Sequence, residues 1–514
     1  MKFRYSVLFE TRQLQKLELL HFLRNQPCFT ATKKQLTQHL EFSATSVLQK
    51  LIDELLVDIH DAYAEHKVDL LVTDKTVALT QEHFISFDFM KHYYLENSCK
   101  FQLLDVFLQE KCATDYDYLT YLDISEKKFY QIRTELKEIL APHDIKIDHN
   151  KLVGPEASIR AYVFEVYFHF FHNQIFPFDK KYYDLAFYKI DKINYLFKID
   201  LTSSQKLSVA YMLSITNLRL QHGHIIHDER EIFNFEQLLR DNSLGNAIYQ
   251  QFKEDYDSAF LSPEQFLHET QAFVLFLYST NVVPYHYAVD EFVLPIKNKI
   301  LKLFDTVPSA YFAFYGVRMP EEIYNSFTDQ MTAPILRYIF YHHQNYVPDE
   351  FLKLPEWQAQ HPITSVFVLS LLNRFSKILP ITQDCNTRQD MFEYMWLDTI
   401  LITAGLFDPI KMLPAVNVYI DFSYAFDATN YVKRRLLSFK NVPVNIMQHW
   451  DAQKADFYFS DLSMESQSKD THNIVSNNYQ AFILPNEIRE DTWSFISQQM
   501  INKVTTKFWA QQHY

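Results

Sequence analysis

Leu36-Thr37-Gln38-His39-Leu40-Glu41-Phe42-Ser43-Ala44-Thr45-Ser46-Val47-Leu48-Gln49-Lys50-Leu51 reads as the end of one helix, a short turn and the start of a second helix. Leu36 and Leu40 lie one turn apart on one face, and Phe42 is an apolar plug for the turn. Ser43 is the predicted N-cap of the second helix, because its hydroxyl can accept an orphan backbone N–H. Val47, Leu51 and Leu55 then continue an apolar stripe, and Leu14, Leu17, Leu20 and Leu23 supply a helix upstream. Three helices with a short turn between the last two is the plan of a helix-turn-helix. The pattern returns 82 residues later, where Leu122-Asp123-Ile124-Ser125 repeats Leu40-Glu41-Phe42-Ser43. Phe129, Ile132, Leu136 and Ile139 form the stripe of the next helix, and Leu103, Leu104 and Phe107 that of the preceding one. One amphipathic helix pair is ordinary core material. Two copies at one offset set this chain apart from plain helical hairpins.

Each unit is followed by a hairpin signal. Val68, Leu70, Leu71 and Val72 lead through Thr73-Asp74-Lys75 to Val77 and Leu79, and Ile145-Lys146-Ile147 leads through Asp148-His149-Asn150-Lys151 to Leu152-Val153. Such hairpins act as wings whose basic tips, here Lys75 and Lys151, can meet phosphate. In a helix-turn-helix the N-terminal residues of the second helix face base edges in the major groove. The candidate DNA-facing residues are Ala44, Thr45, Ser46, Gln49 and Lys50 in the first unit and Lys127, Lys128, Gln131 and Arg133 in the second, with Lys33 and Lys34 beside the first. Gln and Arg suit bidentate base contacts, whereas Lys suits phosphate. Each of these residues also fits a solvated helix face, and the acidic balance of residues 101–155 leaves a packing role for the second unit open.

The bulk numbers frame these motifs. A chain of 514 residues is too long for one core, and its 48% hydrophobic and 22% charged content belong to a folded protein rather than a disordered one. The net charge is −14, unusual for a DNA binder, yet residues 1–60 carry eight basic and six acidic side chains, a balance of +2. Backbone binding needs only a local basic face. There are five glycines, none before Gly154, so no glycine-rich phosphate loop exists and nucleotide-binding classes that depend on one are excluded. Four scattered cysteines (Cys28, Cys99, Cys112, Cys385) form no CxxC pair, which fits a reducing, cytoplasmic compartment and argues against a structural zinc site. Met1–Arg12 lacks a basic region followed by an apolar block, so no signal peptide is expected. No stretch reaches the roughly 18 apolar residues of a membrane span. No cofactor and no metal are expected, and the protein is read as a regulator rather than an enzyme.

The second unit runs from Tyr118 to Arg133 and on into Leu152-Val153-Gly154-Pro155-Glu156-Ala157-Ser158-Ile159-Arg160. This resembles the Mga/AtxA-type virulence regulators of Gram-positive bacteria, which carry an LxGxExxIR-like segment after a paired helix-turn-helix. Leu152, Gly154, Glu156, Ile159 and Arg160 match it at spacing. The resemblance implies a mainly α, multidomain chain: a first winged helix-turn-helix module at 1–95, a second (Mga-like) at 96–160, helical phosphotransferase-system regulation domains at 161–288 and 289–408, and a IIB-like α/β domain at 409–514. It also implies double-stranded DNA as partner, a homodimer or higher oligomer, no membrane, and the phosphocarrier HPr or another phosphotransferase-system donor acting on histidine.

The middle of the chain is dense in aromatics, Tyr162 to Phe171 above all, and these are expected to fill cores. Pro284, Pro295, Pro308, Pro320, Pro334 and Pro348 punctuate the second half at loop-like intervals. Candidate phosphorylation sites are His222 and His224, then His286, His342 and His343. A helix-end or half-buried polar role is the competing reading for each, and no Cys or carboxylate cluster completes a metal set around the HxH spacing. From about Ala415 strands alternate with helices: Ala415–Phe422, Val442–Ile446, Asp456–Ser460 and Tyr479–Leu484 as strands, Ala428–Phe439 and 488–507 as helices. That grammar predicts a small parallel sheet. Working IIB subunits hold a cysteine after the first strand, but Asp421-Phe422-Ser423-Tyr424-Ala425 has none, so a cysteine relay there is excluded. A phosphotransfer relay or scaffold without DNA binding is the alternative reading. An RNA-binding antiterminator is disfavoured by the glycine-free, helix-patterned N-terminus.

Overall fold

The computed structural model describes residues 5–63, 68–81, 86–172, 176–197, 199–227, 232–255, 261–283, 291–340, 358–379, 387–407, 412–423, 426–462, 479–484 and 490–512. The chain is mainly helical and multidomain, and it divides into two compact units, one comprising Met1–Val293 and the other most of the chain from Leu294 onward.

The first unit opens with α1 (Thr11–Arg24), β1 (Thr30–Thr32), α2 (Lys33–His39), α3 (Thr45–Ala62), β2 (Val68–Val72) and β3 (Thr76–Gln81). The three strands form an antiparallel sheet in the order β1-β3-β2, with Leu70 opposite Leu79 and Thr32 opposite Thr76. This is a winged helix-turn-helix; β1 is a strand the alternation in sequence does not announce. Helix α4 (Asp88–Glu96) is fastened back onto it, Tyr94 donating to Asp58 at 2.7 Å, while Lys16 reaches the same carboxylate at 2.5 Å.

The second copy follows as α5 (Cys99–Gln109), α6 (Asp115–Leu122), α7 (Glu126–Leu140), β4 (Lys146–Asp148) and β5 (Lys151–Val153). Its wing is a two-residue hairpin in which His149 and Asn150 both have positive φ, the backbone that a type I′ turn requires.

The repeat is exact in the backbone of the turn. Glu41 and Asp123 both adopt the left-handed conformation (φ 53° and 51°), and Phe42 N–H bonds Thr37 O as Ile124 N–H bonds Leu119 O. Both are the helix-ending motif in which one residue of positive φ satisfies the last carbonyls. Beyond the turn the register changes. Ser125 caps α7 through its side chain, as the sequence predicts, but α3 starts one residue later, with Ala44 at its N-cap and no side-chain cap. Ser43 is therefore not the cap. The buried stripe of α3 is Leu48, Leu51, Ile52, Leu55 and Ile59, so Val47 faces outward, 38% exposed, rather than inward as expected. Leu48, Leu51, Leu55 and Ile59 correspond to Phe129, Ile132, Leu136 and Leu140 at an offset of 81, because the first turn holds one extra residue.

Helices α8 (Glu156–Phe171), α9 (Lys180–Phe197), α10 (Ser203–Gln221), α11 (Phe235–Leu238), α12 (Leu244–Asp255) and α13 (Pro263–Ser279) complete the unit. The aromatics of α8 fill its core: Phe164 meets Phe276 edge-on at 5.0 Å and Phe168 meets Tyr211 at 5.6 Å between centroids.

The second unit contains α14 (Leu294–Tyr315), α15 (Glu321–Phe340), α16 (Pro362–Phe375) and α17 (Thr387–Leu406), then β6 (Val416–Asp421), α18 (Phe426–Leu437), β7 (Val444–Ile446), β8 (Phe457–Ser460), β9 (Gln480–Ile483) and α19 (Glu490–Gln512). The strands form a parallel sheet in the order β7-β6-β8-β9, as the alternation predicts. Pro308 and Pro334 correct the loop-like reading of the prolines: both lie inside helices, α14 and α15, where each deletes one backbone hydrogen bond that surrounding packing must offset. Pro284 and Pro348 lie outside the described residues.

Glu41→Gly removes a Cβ from a left-handed position. The expected gain is about 0.5–1 kcal/mol, the relief of the left-handed strain less the extra chain entropy glycine loses. An increased urea midpoint of the first transition, followed by circular dichroism, checks it.

Candidate nucleic-acid interface

In the first helix-turn-helix, three elements converge where the sequence places the DNA face. The Lys33 N–H donates to the carbonyl of Lys75 at 2.9 Å, which fastens the wing turn to the start of α2. Lys33 Nζ donates to Gln49 Oε1 at 2.9 Å, and Gln49 Nε2 to Asp53 at 2.8 Å, which ties α2 to α3. Thr32 and Gln35 form a reciprocal capping box that fixes where α2 begins. Around this frame Lys34, Ala44, Thr45, Ser46, Lys50 and Lys75 are exposed, and the three lysines make no ion pair among the described residues.

The second unit has the same frame and a different charge balance. Lys127 is exposed and unpaired among the described residues, Lys128 lies 3.9 Å from Glu10, and the exposed Gln131 donates to Glu135 at 2.9 Å. Arg133 turns away from the outer face: its side chain is 19% exposed and lies 4.0 Å from Asp115. Asp115 also accepts from Tyr130 at 3.0 Å and Asn150 at 2.5 Å, so one carboxylate gathers α6, α7 and the wing tip. The Asn150 hydrogen bond, then burial (opposing), then the Tyr130 bond and the charge of Arg133 leave that carboxyl below its ordinary value.

Lys151, the other wing tip, donates to Glu110 at 2.6 Å. Glu110 ends α5 in the left-handed conformation and also takes the ring Nε2 of His224. Burial pushes the Glu110 carboxyl up, but its bonds to Lys151 and His224 outweigh this and hold it low. His224 is half-buried, whereas His222, at the end of α10, and His227 are exposed. His286, His342 and His343 lie outside the described residues.

Next to His224 is a buried ion cluster that sequence reasoning did not assemble. Arg160 donates to Glu156 at 2.9 Å, to both oxygens of Glu269 at 2.5 and 3.0 Å, and to the His224 carbonyl at 3.1 Å. Arg219 donates to both oxygens of Glu156 at 2.9 and 2.7 Å, and Glu269 accepts the Ile226 N–H at 2.9 Å. The side chains of Arg160, Arg219 and Glu269 are 4%, 0% and 1% exposed. Burial raises the Glu156 carboxyl, yet the Arg219 hydrogen bond and the two guanidinium charges bring it below its ordinary value. The cluster ties the start of α8, two residues beyond the second wing, to α10 and α13. The LxGxExxIR-like spacing placed Glu156 and Arg160; their partners at 219 and 269 carry no local signal.

Among the described residues no helix is long and apolar enough to cross a membrane, and no group of three or more His, Cys, Asp or Glu side chains is placed to hold a metal ion.

Arg160→Met leaves the buried Glu269 without its cation and Glu156 with Arg219 alone, and the expected cost is about 3–5 kcal/mol. The double variant Arg160→Met/Glu269→Met should lose less than the sum of the single ones. Glu110 and Glu156 titrate below 4.5 when folded, so their contribution is complete at neutral pH and disappears as pH falls through and below that value. Urea midpoints at neutral pH and at a pH well below 4.5 test both statements: wild type should lose more than Arg160→Met on acidification.

Residues 83–168 match the family model of the Mga helix-turn-helix domain, a segment that runs from before α4 through the second wing to Glu156 and Arg160. No curated protein matches the chain. The match shows a helix-turn-helix domain of the Mga type in this segment, a kind of domain found in DNA-binding regulators of transcription.

Proposed function

We propose that both helix-turn-helix units engage double-stranded DNA, with phosphate contacts supplied mainly by the first. The observation that carries this is the set Lys34, Lys50 and Lys75, exposed and without an ion pair among the described residues, around a frame where α2, α3 and the wing are hydrogen-bonded together. Thr45, Ser46 and Gln49 on α3, and Lys127, Lys128 and Gln131 on α7, are the proposed base-facing or groove-facing residues. Lys33 serves to orient Gln49, and Arg133 to hold α7 on α6.

The regulatory part of the proposal rests on Glu110. This carboxylate is shared by the second wing (Lys151) and by His224. Transfer of a phosphoryl group from the phosphohistidine of HPr, or a similar donor, to the His224 ring would set roughly 1.5–2 negative charges against Glu110. The shared contact would break and the wing would be released. His222 is the exposed neighbour open to the same donor, with His286, His342 and His343 as further acceptors. The protein acts in the cytoplasm as a homodimer or higher oligomer whose geometry changes with this modification, and the resemblance to virulence regulators points to such promoters as targets.

Duplex binding at two salt concentrations separates the units. Each lysine that touches phosphate contributes about 0.9 to the slope of log K against log salt. Lys34→Ala/Lys50→Ala/Lys75→Ala should flatten the slope by about two to three. Lys127→Ala/Lys128→Ala should flatten it by about one to two, and Arg133→Ala less than either set. No salt-dependent binding of wild type to any duplex refutes the reading and favours the scaffold alternative.

His224→Ala should raise hydrogen exchange of the 146–153 wing without unfolding the chain. Promoter output and oligomer size that stay the same across sugar sources, in a variant lacking His222, His224, His286 and His342, would sink the phosphorylation step.

A further inference from the structure

A cavity of about 290 Å³ lies within the second unit, between the first turn of α16, the end of α17, the Lys440-Asn441 turn after α18, and α19. We propose that it binds a small organic anion, with a carboxylate or phosphate head at the start of α16 and an apolar body against Leu406, Phe407, Ile501 and Val504. The site is separate from the helix-turn-helix units and the proposal does not depend on DNA binding.

Four observations carry it. Pro362 occupies the first position of α16 and has no N–H, and the first helical bond runs from Ser365 N–H to His361 O. The N–H groups of Ile363 and Thr364 are therefore the orphan donors of this turn, and the N-cap His361 offers no side-chain cap. Thr364 is 4% exposed and lines the cavity, and its hydroxyl has no hydrogen-bond partner among the described residues. An oxyanion in the cavity would accept from this hydroxyl together with the two N–H groups. Lys440 stands exposed at the rim and makes no ion pair among the described residues. No Asp or Glu is among the described lining residues, although the chain carries a net charge of −14. Among the described residues the cavity thus combines a cation at its rim, helix N-terminal donors and an apolar wall, and its volume is at the small end for ligand pockets. An occupant would touch both the helical and the α/β parts of this unit and so fix one against the other.

Gly405 supplies the blocking variant. Gly405 is part of the cavity wall and a Cβ there would meet nothing within 4 Å, so a larger side chain is accommodated at the wall without a backbone clash. The probes are hexanoate and phenyl phosphate, with 1-hexanol as the neutral control, titrated calorimetrically into the full chain. Both or either anion should saturate at one site, and the tighter one identifies the preferred head. Lys440→Ala should weaken that binding about fivefold, Thr364→Val about threefold and Gly405→Leu more than tenfold. If Gly405→Leu does not fold, the other two variants decide. Hexanol binding as tightly as hexanoate, variants that bind like wild type, or no saturable binding of either anion would overturn the proposal.

Discussion

Arg160 is a permanent cation in a place that water does not reach, and the junction behind the second helix-turn-helix is organised around that constraint. A guanidinium cannot shed its proton, so every face of its fork must be filled by the protein. Glu156 approaches from its own helix, Glu269 from α13, and the His224 carbonyl from the end of α10. Glu156 in turn neutralises Arg219, which is itself fully buried. Two cations and two carboxylates balance, and each is held by more than one bond. Such a cluster stabilises little relative to an apolar core of the same volume, but separating its partners would leave a buried charge uncompensated, which disfavours other arrangements of these helices. That is what a joint requires.

The wing belongs to the same arrangement because α8 begins so soon after it. Leu152 is buried in the hairpin, and Gly154 brings the chain so close to the α7 side that a Cβ would stand 2.4 Å from the Asp144 carbonyl oxygen. Ile159 is buried one residue before Arg160. The LxGxExxIR-like segment is thus a physical device: an anchor in the wing, a close crossing, and two charges that lock into the helices beyond. The resemblance located it, and packing explains why those residue types stand at that spacing.

Much of the architecture was legible because it is written locally. Hydrophobic periodicity placed both helix pairs, alternation placed both wings, and the strand-helix alternation from Ala415 placed the parallel sheet. What escaped is of two kinds. The first is a one-residue difference in the turn, which moves the buried face of α3 from Val47 to Leu48; pattern matching at a fixed offset carries the wrong residue into the core, and only the competing fit of Leu48, Leu51 and Ile52 resolves it. The second is long-range pairing. Arg160 and Glu269 are 109 positions apart and Glu110 and His224 are 114 apart, and neither partner carries a mark of the other.

Charge, rather than backbone, distinguishes the two helix-turn-helix units. The same turn geometry is built twice, yet the first leaves Lys34, Lys50 and Lys75 facing solvent while the second draws Arg133 and Lys151 onto Asp115 and Glu110. A cation already held by a carboxylate must give up that partner before it can meet a phosphate, so its attraction to DNA is reduced by the pairing it forfeits. A free cation exchanges only counterions. In the proposed reading the first unit would meet DNA unconditionally, whereas the second would change its effective charge when something competes for Glu110. His224 sits on that carboxylate, three residues past the end of α10, and its own carbonyl is gripped by Arg160. Any change in the charge of that ring therefore acts on the carboxylate that holds Lys151.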